Sequence, residues 1–278
     1  MLYTANEMRS SNATTKRRKG AADAFIEEQL AEGRVAFALP ELLAETGLSV
    51  VAAANQLRRL GNRVRRVARR QAFFLIVEPR HLAMGAPPAQ WWLDAYFRWL
   101  EHPYYLALLS AAESYGAAPQ AVQVLQVMTD VPRRELSVGR LRIRFFVKRR
   151  VERTPVQQSP ASYAPLRMST PEATALDLVR YAQRIGGIGR ARETLMPLLP
   201  SMRVPALRRT LDAEQNVLSA QRLGYLLERS GAERLSRAIH EWLPAKLSWC
   251  PLGPGQAETS ETHRSKRWHV IARPGGAA

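Results

Sequence analysis

Apolar positions near the start of the chain follow a helical period and then switch to an alternating one. From Ala21 to Ala31, Ala24, Phe25, Ile26 and Leu30 are available to a core, with Glu27, Glu28 and Glu32 outside. Pro40 to Thr46 reads as a second, short helix, Gly47-Leu48-Ser49 as a turn, and Val50 to Leu60 as a third helix. In that third helix Val50, Ala54 and Leu57 share one face, and Ala52, Asn55, Gln56 and Arg59 lie on or near the other. Ser49 suits an N-cap, because its oxygen can accept from the free N–H groups of the following turn. Alternation then takes over. Val64 and Val67 begin a strand, Ala68 to Gln71 turn the chain, and Phe73, Leu75 and Val77 return it to the core. Helix, turn, helix and basic hairpin in this order predict a winged helix-turn-helix over residues 21–80.

Beyond Glu78-Pro79-Arg80 the pattern becomes mixed. Gly85-Ala86-Pro87-Pro88 reads as a linker or turn. Trp91 to Leu100 predicts a helix with Trp92, Tyr96 and Trp99 on one side, a stripe that serves either a core or a protein contact. Tyr104 to Tyr115 predicts a helix closed by Gly116. Ala121 to Met128 and Leu141 to Lys148 are strand-like. In the second, Leu141, Ile143, Phe145 and Val147 oppose Arg140, Arg142, Arg144 and Lys148, interrupted by Phe146. Thr170-Pro171-Glu172 opens a helix, with Thr as N-cap, Pro in the first turn and Glu at the positive dipole end. Further helices are expected at 188–199, 204–211, 221–230 and 232–245, then a polar loop over 251–265 and a strand over 268–272. The fold class expected is α+β: a basic disordered arm over 1–20, the winged helix over 21–80, and a larger mixed α/β domain over 81–278.

Charge sharpens this picture. Lys and Arg exceed Asp and Glu by 41 − 24 = 17, an excess that attracts polyanions, nucleic acid first. Seven of the fourteen residues from Arg58 to Gln71 are arginine. Following a turn-helix unit at this distance, they read as a DNA grip on phosphates and the minor groove. The candidate DNA-binding residues are Ser49, Ala52, Asn55, Gln56, Arg58 and Arg59 on the helix, and Arg63, Arg65, Arg66, Arg69 and Arg70 on the wing. Asn and Gln can address adenine, and Arg guanine. A second basic segment, Arg133 to Arg153, holds nine basic and two acidic residues; it is either a solvated strand face or a site for a polyanion or acidic partner.

Catalytic chemistry is not evident. His81, His102, His240, His263 and His269 have no metal-ligand spacing, so no metal or cofactor is expected. Cys250, the single cysteine, lacks the signature of a nucleophile and is expected to be buried. Gly186-Gly187-Ile188-Gly189 lacks the later Gly and Lys of a phosphate cradle. A nuclease using Asp130 and Glu135 is the enzymatic alternative. One cysteine, no apolar span and no signal-like start make the cytoplasm the expected location, without membrane association.

Four segments resemble the AbiEi antitoxin family of type IV toxin–antitoxin systems. They are Tyr104-Tyr105-Leu106-Ala107-Leu108-Leu109-Ser110-Ala111-Ala112, Met168-Ser169-Thr170-Pro171-Glu172-Ala173-Thr174-Ala175-Leu176-Asp177, Arg222-Leu223-Gly224-Tyr225-Leu226-Leu227-Glu228 and Arg267-Trp268-His269-Val270-Ile271. Together, behind a winged helix, they span 21–274. Ala173 departs from the family pattern, where a basic residue is expected, and this argues against a functional salt link there. The resemblance implies a bacterial abortive-infection antitoxin that binds inverted repeats in its own promoter and represses its operon. It also implies a nucleotidyltransferase-like toxin as functional partner, opposed without need of a stable complex. On that reading Arg140, Arg142, Arg144 and Lys148 are the candidate toxin-neutralisation surface.

Overall fold

The computed structural model describes residues 20–118, 122–159, 166–253 and 263–272. The expected basic arm over 1–20 lies outside the described residues except for Gly20. Helix α1 (Ala21–Ala31), strand β1 (Ala36–Ala38), helices α2 (Leu39–Thr46) and α3 (Val50–Leu60), and strands β2 (Val64–Arg66) and β3 (Phe73–Ile76) form the headpiece. Its antiparallel sheet has the order β1-β3-β2. Phe25, Ile26, Phe37, Leu42, Ala53, Leu57, Val64 and Phe74 fill its interior. Strand β1 was not legible in the sequence pattern, because three residues are too few to show alternation.

Helix α4 (Leu93–Leu100) leads into a six-stranded mixed sheet. Its strands are β4 (Tyr104–Leu106), β5 (Leu125–Thr129), β6 (Leu136–Val138), β7 (Leu141–Val147), β8 (Val156–Gln158) and β9 (Arg167–Ser169), in the order β6-β7-β5-β4-β9-β8. The helix expected over Tyr104–Tyr115 divides instead. Tyr104–Leu106 is a strand paired on both sides, with β5 and β9, and α5 runs only from Leu108 to Ser114. Burial of both tyrosines against opposite faces of the sheet outweighs helical spacing here.

Helices α6 (Pro171–Arg180), α7 (Gly187–Leu198), α8 (Val204–Glu214), α9 (Val217–Arg229) and α10 (Glu233–Trp242) supply most of one large apolar cluster, which includes Tyr105, Met128 and Phe146 of the sheet. The opposite parity, Tyr104, Leu106, Val127, Ile143 and Phe145, packs with α4 and with Phe73 and Leu75 of the headpiece sheet. Headpiece and body therefore share a continuous core. The Trp92–Tyr96–Trp99 stripe is part of it: Phe73 lies 5.4 Å, centroid to centroid, from both Tyr96 and Trp99. Strands β10 (Cys250–Pro251), β11 (His263–Ser265) and β12 (Val270–Ala272) make a small third sheet, order β10-β12-β11. Among the described residues no helix is long and apolar enough to cross a membrane.

Candidate nucleic-acid interface

The helix-turn-helix is built by local chemistry. Gly47 ends α2 at φ 66°, a left-handed conformation that costs a residue with a Cβ more than glycine. Ser49 then caps α3, its Oγ accepting from Ala52 N–H at 3.2 Å. Helix α3 is rotated from the expected setting. Ala53 and Leu57 are buried, whereas Val50 and Val51 are 57% and 71% exposed and Ala54 is exposed. The outward ridge is therefore Val51, Asn55 and Arg58, at i, i+4 and i+7, with Ala54 and Arg59 beside it. Gln56 points inward, its Oε1 accepting the Ala22 backbone N–H at 2.9 Å. It caps α1 and is not on the exposed ridge with Asn55. Ala52 is half-buried and Ser49 is engaged as the cap.

The valine pair was missed in the sequence pattern. With Ala53 and Leu57 packed into the headpiece core, both valines are left on the exposed side of α3, and nothing in the local pattern separated them from core positions.

The wing arginines divide by role. Arg63 bonds Asp23 and Glu27 of α1, each at 2.7 Å, and so braces the hairpin against the first helix. Arg66 lies over the Phe74 ring at 5.2 Å and donates to the Arg69 carbonyl at 3.1 Å. Arg65 reaches Asn62 at 3.4 Å. Arg69 and Arg70 occupy the exposed tip, and their guanidinium groups have no acidic partner among the described residues. The wing base is anchored: Tyr96 donates to Gln71 Oε1 at 2.8 Å, and burial raises the Tyr96 pKa.

A second basic element comes close to the wing. The β6–β7 hairpin docks on the 82–86 segment, with Arg140 N–H bonded to the Met84 carbonyl at 2.8 Å. A Cβ on Gly85 would stand 3.0 Å from Gly139 Cα and 3.8 Å from the Arg65 guanidinium. Arg65 and the Arg140 turn thus flank one segment. Arg142 and Arg144 both bond Glu135, at 2.8 and 3.3 Å, and the Arg142 bond chiefly holds the Glu135 carboxyl below its usual range.

The basic face expected over Arg140, Arg142, Arg144 and Lys148 stops at Arg144. Lys148 is 1% exposed, and its Nζ donates to Asp177 at 2.8 Å, Glu214 at 2.5 Å and the Tyr105 hydroxyl at 3.1 Å. The reason is geometric. The helical layer covers the C-terminal end of β7, where Phe146 and Lys148 follow Arg142 and Arg144 on the same parity.

The four family-like segments meet in pairs. Tyr105 donates to Asp177 Oδ2 at 2.7 Å, joining the first segment to the second; burial raises the Tyr105 pKa well above the usual value, with the Asp177 charge adding to it. Within the second, Thr170 caps α6, Thr174 and Ser169 share a 2.7 Å bond, and Glu172 accepts the Arg203 N–H at 2.7 Å. The third and fourth form one contact. The Trp268 ring fills the space beside Gly224, where a Cβ would lie 2.0 Å from Cζ3, while Glu228 accepts from Trp268 Nε1 at 2.6 Å and Arg267 at 2.7 Å. Cys250 is buried, as expected, and burial raises its thiol pKa, which disfavours the thiolate. The carboxylates of the nuclease alternative are occupied: Asp130 by His102 at 3.0 Å, and Glu135 by the two arginines.

The profile of the AbiEi antitoxin C-terminal domain matches residues 105–229. No curated protein matches the sequence. The fold is similar to that in the crystal structure of the RV2827C protein from Mycobacterium tuberculosis, with a TM-score of 0.61 and 16% identity over 91% of each chain. Residues 105–229 therefore belong to the AbiEi antitoxin C-terminal domain family, here carried behind a winged helix-turn-helix.

Proposed function

We propose that this protein is a DNA-binding repressor of its own operon and the antitoxin of a type IV toxin–antitoxin pair, acting in the cytoplasm. The observation that carries the DNA reading is the exposed α3 ridge of Val51, Asn55 and Arg58, with Arg58 lining one cleft together with Arg66 of the wing, whose exposed tip residues Arg69 and Arg70 have no acidic partner among the described residues. Such a ridge lies along the major groove while the hairpin grips the flank. Asn55, Arg58 and Arg59 are the polar readers, and Val50 and Val51 offer apolar contact to thymine methyl groups. Arg65, Arg66, Arg69 and Arg70 hold the backbone, whereas Arg63, Gln56 and Ser49 position the elements.

The AbiEi domain supports a cognate toxin as partner. We place toxin neutralisation in residues from about 81 onward, and on the Arg140, Arg142 and Arg144 end of the β6–β7 hairpin. Lys148 is left out because two carboxylates already hold it. Two experiments test the proposal. Selection from random duplexes with the full chain should yield an inverted repeat that matches the chain's own promoter. In cells expressing the nucleotidyltransferase-like toxin of the proposed pair, an Arg142→Glu/Arg144→Glu variant that still represses should lose rescue. Failure to select any sequence removes the repressor role, and rescue at the wild-type level removes this surface.

A further inference from the structure

A cleft of about 470 Å³ opens where the segment after β7, the end of α6 and the α8–α9 turn come together. Its volume lies within the usual range for small-molecule sites. Arg149, Arg150, Arg180, Glu214, Val217 and Leu218 are among its lining residues.

The charges there fall into two groups. Glu214 takes Lys148 Nζ at 2.5 Å and Thr154 Oγ1 at 2.6 Å, and lies 3.7 Å from Arg180. Lys148 is also bonded to Asp177. Lys148 and Arg180 thus offset Asp177 and Glu214, and the Glu214 carboxylate is neutralised from its own side. Arg149 and Arg150 remain. Both are exposed, and neither has a hydrogen-bond or ion-pair partner for its side chain among the described residues. The surplus is two positive charges in one cleft.

Two further features complete the lining. Helix α9 starts in it, with Asn216 as N-cap and Val217 and Leu218 as its first residues, so the positive end of a 13-residue helix adds to the arginines. Leu218 is 46% exposed beside them, an apolar surface next to cations.

We propose that this cleft binds a nucleoside phosphate. Its phosphate dianion sits between Arg149, Arg150 and the start of α9, matching the surplus charge, and its base covers Val217 and Leu218. Guanidinium groups suit a phosphate because they can bond two of its oxygens at once. The base gives Leu218 a partner that inorganic phosphate cannot. This site is separate from the DNA-facing ridge and does not depend on that reading.

The test uses the full chain at fixed ionic strength, with adenosine monophosphate, inorganic phosphate and adenosine as probes in equilibrium dialysis. Adenosine monophosphate should bind more tightly than either fragment. Arg149→Ala/Arg150→Gly should weaken it by about tenfold or more, since charge-assisted phosphate bonds are lost. Glycine is chosen at 150 because Arg150 has φ 56°, so the variant keeps the turn. Leu218→Ser should weaken adenosine monophosphate about threefold and leave inorganic phosphate unchanged. Arg69→Ala/Arg70→Ala should change neither. Equal binding of the nucleotide and inorganic phosphate would overturn the nucleoside assignment. Binding unaffected by the Arg149/Arg150 variant, or lost only in the wing variant, would overturn the site.

Discussion

Gln56 Oε1 accepts the backbone N–H of Ala22 at 2.9 Å, tying the middle of α3 to the first turn of α1. A residue type that often reads adenine is thus spent on capping a neighbouring helix. Gln56→Ala should lower stability by about 1 kcal/mol, the usual worth of such a bond. Its discrimination between selected operator and random DNA should stay at the wild-type level. Urea denaturation and competition binding check the two halves; lost discrimination with unchanged stability would return Gln56 to the reading face.

Val51 is 71% exposed at the start of α3, where recognition helices meet base edges. Replacing thymines by uracils in a selected operator should weaken the wild type by about 1 kcal/mol per contacted methyl. Val51→Ser should bind both versions equally. Equal sensitivity of wild type and variant to the missing methyls would dismiss Val51 as a thymine contact.

Asn55 and Arg58 share the ridge with Val51, and Arg58 donates to Asn55 Oδ1 at 3.2 Å. Either alanine substitution should cost about 1–3 kcal/mol at the operator and little on random DNA. Arg69→Ala/Arg70→Ala should instead weaken every sequence and flatten the log–log salt dependence by about one to two units. Titrations across salt separate the two behaviours; an unchanged slope would take the wing tip out of the interface.

Gly224 admits the Trp268 ring at a distance no Cβ tolerates. Gly224→Ala should destabilise the body by about 3 kcal/mol, because both α9 and the ring are packed on their other sides. Thermal unfolding reads this as a fall of several degrees. A melting temperature equal to the wild type would mean that the ring has room to move.

Tyr105 remains protonated in the folded protein to well above the usual tyrosine value, because it is buried and beside Asp177. The unfolded chain releases that proton near pH 10. Above this pH the folded state holds more protons than the unfolded, so stability falls as pH rises, by about 1.4 kcal/mol per pH unit for this group. Below pH 10 its contribution is fully present. Tyr105→Phe should therefore show a shallower loss of stability between pH 10 and 11; equal slopes would show that Tyr105 ionises freely in the fold.

Local signals placed most elements of the headpiece, but not strand β1 or the face that α3 buries. Ser49 and Gly47 fix where α3 starts, periodicity fixes its length, and alternation fixes the wing, since each depends on neighbours in sequence. The helices of the body were legible for the same reason: Thr170 and Pro171 mark the start of α6 without reference to anything distant. The short strands β1, β6, β8, β9 and β11 were not, because a strand of three residues is held by its partners and not by its own pattern. Tyr104-Tyr105 shows the same competition, helical by spacing but held as a strand between β5 and β9.

Side-chain roles were decided only by tertiary contacts. Composition determined that the chain carries a large positive excess and that arginines crowd the wing. It could not determine which of them are free. Arg63 is taken by Asp23 and Glu27, forty and thirty-six residues away, and Lys148 by Asp177 and Glu214, twenty-nine and sixty-six away. A charge is available to a ligand only where the fold has not already placed an opposite charge beside it, and that placement depends on contacts that no local pattern encodes.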